Sequence, residues 1–101
     1  LPRPERLRRC RHVAALGFDA LCLADHFTDW TGRKGPWYEM WTHLAAIAQA
    51  TSRIRIATLV AQIPLREPAM FALQALTADH VSGGRLEIGL GTGREVDPGY
   101  R

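Results

Sequence analysis

Asp25 and His26 stand side by side at the end of a short apolar run, Ala20-Leu-Cys-Leu-Ala24. An imidazole exchanges protons near neutral pH, and an adjacent carboxylate can orient it or set its charge, so the pair suits acid/base chemistry. The run before it is too short for a helix and is bounded upstream by Gly17-Phe-Asp19, which predicts a buried parallel strand. In α/β proteins ligands meet side chains at the carboxyl ends of such strands. A His26 bonded to a neighbouring carbonyl for structural reasons is the alternative. A second candidate is Gly89-Leu-Gly-Thr-Gly93, also at the end of an apolar run. It does not complete the G-x-G-x-x-G fingerprint, because Arg94 or Val96 occupies the third glycine position and Pro98 disfavours a long helix directly after it. The turn either permits close approach by a phosphate or a ring, or is simply flexible. Cys10 and Cys22 have no metal-like spacing and are expected as buried free thiols in a reducing cytoplasm, with no metal site.

These groups need elements to position them. Pro4 suits a first helical turn, and Leu7, Cys10, Val13, Ala14 and Leu16 recur at helical spacing opposite an arginine-rich face. Gly17 suits a left-handed cap, and the strand Ala20 to Ala24 follows. Residues 27–36 read as a long loop carrying Trp30. Pro36 opens a second helix with Trp37, Trp41, Leu44, Ala45, Ile47 and Ala48 as its buried stripe and His43 beside it. Residues 53–60 form the next strand, and 62–68 a turn-rich link. Pro68 starts a third helix expected to bury Met70, Phe71, Leu73, Leu76, Thr77 and Val81, with His80 at its end. Ser82-Gly83-Gly84 stops it before a third strand, 85–90.

Helix and strand thus alternate three times, with equivalent strand ends at Asp25, Val60 and Gly91, spaced 35 and 31 residues apart. A (β/α)8 barrel of about 250 residues allots about 31 to each unit. The fold class expected is α/β: a partial (β/α)8 barrel of about three units with parallel strands, in one domain spanning 1–101. Three units cannot close a barrel, so helices would cover one sheet face and leave the other face and both edges bare. An open doubly wound sheet is the alternative.

Bulk properties exclude several classes. Hydrophobic residues at 47% and charged residues at 23% match an average globular chain rather than a disordered one. No apolar run approaches the roughly 20 residues of a membrane span, and no signal-peptide pattern opens the chain. It lacks an initial Met, which suggests a piece of something longer. The net charge of +3 arises largely from Arg3, Arg6, Arg8, Arg9 and Arg11, with no aromatic residues interleaved, so a solvated helix face is expected rather than a nucleic-acid site.

Three phrases in order, 17–26, 51–60 and 76–93, resemble the luciferase-like monooxygenase family of flavin- or deazaflavin-dependent barrel enzymes. The match covers nearly the whole chain, from the first helix to the fourth strand of that barrel. The resemblance implies a reduced deazaflavin (coenzyme F420) or FMN as cofactor, a small-molecule substrate, and a homodimer or association with the missing barrel half. It implies that His26 is the acid/base and that Asp25 touches the cofactor ring. Leu59 and Val60 match a cis non-proline peptide backing that ring, and Gly91, Thr92 and Gly93 a turn beside it. Gln62 stands where the family often has a small hydroxyl residue near the cofactor, and Trp30 falls near a substrate-lining aromatic. In some members a Glu directly follows the Gly-Thr-Gly turn and works beside the His. Here Arg94 intervenes, leaving Glu95 as the second catalytic candidate. The Asp-His pair favours the deazaflavin. The alternative is an inactive barrel fragment acting through self-association or partner association, since later strands hold much of the cofactor's phosphate end in this family.

Overall fold

The computed structural model describes residues 3–27 and 38–93. Its elements are α1 (Arg3–Ala15), β1 (Ala20–Leu23), α2 (Met40–Ala50), β2 (Arg55–Gln62), a 3-10 turn (Ile63–Leu65), α3 (Pro68–Val81) and β3 (Leu86–Gly91). The strands form one parallel sheet in the order β1-β2-β3, so their carboxyl ends share one rim. The α/β class and the barrel-segment arrangement expected from the repeat are both present. Among the described residues no helix is long and apolar enough to cross a membrane.

The core lies on one side of the sheet. Leu7 of α1, Leu44 and Ile47 of α2, Ile56 and Ala61 of β2, and Ala75 and Ala78 of α3 form one buried cluster. The opposite face stays open, which overturns one expectation: Cys22 is exposed, not buried. Strand β1 alternates, with Leu21 and Leu23 turned to the helices and Ala20 and Cys22 turned away. Cys10 is half-buried, and burial pushes its thiol pKa up. Leu16 falls in the turn after α1 and is 63% exposed, outside the apolar stripe expected to hold it.

Helix α2 begins at Met40 rather than near Pro36, which with Trp37 lies outside the described residues. Glu39 sets the start. Its extended backbone turns the chain in, and its carboxylate accepts from the backbone N–H of Trp41 at 3.0 Å and of Thr42 at 2.8 Å. Those donors would otherwise lack helical partners. Trp41 packs edge-on against Phe71 at 5.7 Å, joining α2 to α3.

Helix α3 shows a second correction. Met70, Leu73 and Leu76 are 52%, 55% and 56% exposed, and Thr77 is exposed as well. Phe71 and Val81 of the expected set do pack against the core, and the side facing α2 is Phe71, Ala75 and Ala78, a stripe at i, i+4 and i+7. Apolar residues run around most of this helix, so periodicity could not select a face. The alanines are selected because small side chains let two helix backbones approach closely.

Strand β2 runs to Gln62 and carries one extra residue against β3. Thr58 pairs with Ile88, but Ala61 pairs with Leu90. The bulge falls at Leu59–Val60, whose peptide bond is cis. Gly89 and Gly91 sit beside it for steric reasons. A Cβ on Gly89 would stand 2.5 Å from the Thr58 carbonyl oxygen, and one on Gly91 would stand 2.5 Å from Val60 Cγ2. Thr58 Oγ1 completes the irregular pairing, accepting from Gly89 N at 3.0 Å and donating to Gly89 O at 2.9 Å. The glycine repeat is thus explained at these two positions by close strand approach.

Candidate active site at the strand carboxyl ends

The rim gathers most of the residues singled out from the sequence. A concavity of about 250 Å³ is lined by Ala24, Asp25, His26, Leu59, Val60, Gln62 and Gly93. They come from positions far apart in the chain and meet because three parallel strands end together. Gly91 and Thr92 lie next to this concavity in sequence but not in its lining. Trp30 and Glu95 lie outside the described residues. A hollow of similar size, about 260 Å³, runs between α2 and α3, but no titratable side chain lines it. Among the described residues no three His, Cys, Asp or Glu side chains converge as metal ligands.

Asp25 is only 1% exposed, and its carboxylate is fully engaged. Arg66 grips it with both terminal nitrogens, Nη2 reaching Oδ1 at 2.8 Å and Nη1 bonding Oδ2. The backbone N–H of Gln62 donates to Oδ2 at 2.9 Å. Arg66 also bonds Glu39, and its guanidinium lies 5.3 Å from the centre of the Phe27 ring. A buried charge persists only when paired and hydrogen-bonded, and this fork-to-carboxylate geometry does both. Asp25 thus forms a clamp joining the end of β1 to the segment after β2.

Arg66 and Glu39 were not legible as site residues. Arg66 lies in a link that reads as turn, and Glu39 in one that reads as helix. The available signal was Asp25 itself, since a carboxylate at the end of a buried strand requires a cation from elsewhere in the fold.

The clamp has a pH signature. Burial pushes the Glu39 carboxyl pKa up, but the N–H groups of Thr42 and Trp41, the Thr42 hydroxyl and the Arg66 guanidinium outweigh it and hold the group below its ordinary value. A carboxyl lowered in the folded state stabilises the fold above its unfolded pKa and loses that contribution as pH falls through the folded one. The urea midpoint of the chain should exceed that of Glu39→Gln near neutrality, and the difference should shrink on acidification below about pH 4. A difference independent of pH would contradict the assignment.

His26 is half-buried, with Nδ1 3.3 Å from Gln62 Nε2. Gln62 itself is 5% exposed, and its Nε2 also donates to the backbone carbonyl of Asp25. Imidazole, amide and clamped carboxylate form one connected polar group beside the apolar wall of Leu59 and Val60.

A parallel sheet with helices on one face and a mixed polar–apolar hollow at its strand ends defines an α/β protein of the barrel-segment type. The luciferase-like monooxygenase model matches residues 3–97, and the chain belongs to that family. The F420-dependent glucose-6-phosphate dehydrogenase of Segniliparus rotundus is 37% identical over 84 residues, covering 80% of this chain and 24% of that protein. The 4-hydroxyprotoasukamycin monooxygenase of Streptomyces nodosus subsp. asukaensis is 35% identical over 78 residues, covering 76% and 20%. Among solved structures, monooxygenase RslO1 from Streptomyces bottropensis aligns with a TM-score of 0.80 at 29% identity, over 91% of this chain and 27% of that one. An F420-dependent secondary alcohol dehydrogenase in complex with an F420-acetone adduct shares the fold, with a TM-score of 0.83 at 24% identity over 96% and 30%. The chain spans about a quarter of the length of the curated relatives it matches.

Proposed function

We propose that this chain forms the ring-binding part of a flavin- or deazaflavin-dependent oxidoreductase of the cytoplasm, of the hydride-transfer or monooxygenase type, acting on a small molecule. The observation that carries the reading is the meeting of His26, Leu59, Val60, Gln62 and Gly93 on one hollow at the strand ends. The residues fit a planar ring. Leu59 is 64% exposed at the rim, Val60 stands beside it, and Gly93, at φ +77, places no side chain in the way. The F420-dependent relative supports F420 as the group held there, and a monooxygenase of the same fold, the oxygenating constituent of 3,6-diketocamphane monooxygenase in complex with FMN, keeps FMN as the other candidate. Bound, that group supplies the hydride or electron pair. Leu59 and Val60 exclude water from its face, His26 exchanges a proton with the substrate, and the Arg66–Asp25 clamp holds the rim in place.

Titrating the full chain with F420 and with FMN should give saturable fluorescence quenching for one of them. Leu59→Glu, a change at an exposed position, should abolish it, and Leu73→Glu on the exposed side of α3 should not. Equal binding by Leu59→Glu would overturn the reading. A second reading is favoured by the bare apolar side chains of Leu73, Leu76, Ile88 and Leu90. In it the chain is an inactive segment that associates with itself or with further barrel units. Dimers on a sizing column without quenching would support it.

A further inference from the structure

We draw no further inference here: the strongest candidate, the apolar hollow between α2 and α3 where Met70 and Leu73 stand exposed beside the buried indole of Trp41, carries nothing because nothing in the structure shows what covers it.

Discussion

Asp25→Ala should cost about 3–5 kcal/mol of folding stability, the penalty for breaking a buried ion pair from one side. The carboxylate side chain is 1% exposed and the Arg66 side chain 7%, so water cannot take the place of the lost partner. Glu39 remains beside the guanidinium, but it is more exposed and already accepts from Trp41 and Thr42. Two strand ends would lose their tie, because Asp25 also accepts from the Gln62 backbone. Urea titration with an unchanged m-value measures the loss. The double variant Asp25→Leu/Arg66→Met removes both charges and should recover much of it, since an apolar pair of similar volume avoids the desolvation penalty. A loss below about 1 kcal/mol for Asp25→Ala would mean that the pair is hydrated as exposed pairs are, contrary to its burial.

Arg85→Ala should cost about 3 kcal/mol, the upper range for hydrogen bonds to a charged group. The guanidinium closes the end of α2, donating to Ala48 O at 2.8 Å, Thr51 O at 3.1 Å and Ile54 O at 2.9 Å. It also donates to the Thr51 hydroxyl at 3.0 Å, and its Nε donates to Ser82 O at the end of α3. Helix carbonyls at a C-terminus have no partners within the helix, and a cation there also opposes the helix dipole. Arg85→Lys should recover only part of the loss, because one ammonium cannot span the same set of carbonyls. Hydrogen exchange should speed up first at the end of α2 and at the start of β3. Wild-type exchange there in Arg85→Ala would refute the assignment.

The alternation of elements was legible because each carries its own local signal. Gly17, with φ +93, and Gly83, with φ +70, end helices where the sequence places them. Pro68 starts α3 at its first position, with Glu67 accepting from Ala69 N and Met70 N. The common rim follows from the same signals, since parallel strands joined by helices must end on one side. Helix faces were less legible. In α2 a polar side marks the buried stripe, whereas α3 carries apolar residues on both sides.

The sequence by itself determined the order of the elements, their parallel sense and the placement of Asp25 and His26 at a strand end. Those depend on hydrophobic period and turn chemistry, which act over a few residues. Only the tertiary structure decided that Arg66 bridges Asp25 and Glu39, that Gln62 reaches His26, and that Gly89 and Gly91 make room for the β2 bulge. Each of these joins positions about 27 to 41 residues apart in the chain, and a partner at that distance is selected by charge pairing and steric contact once the strands are side by side.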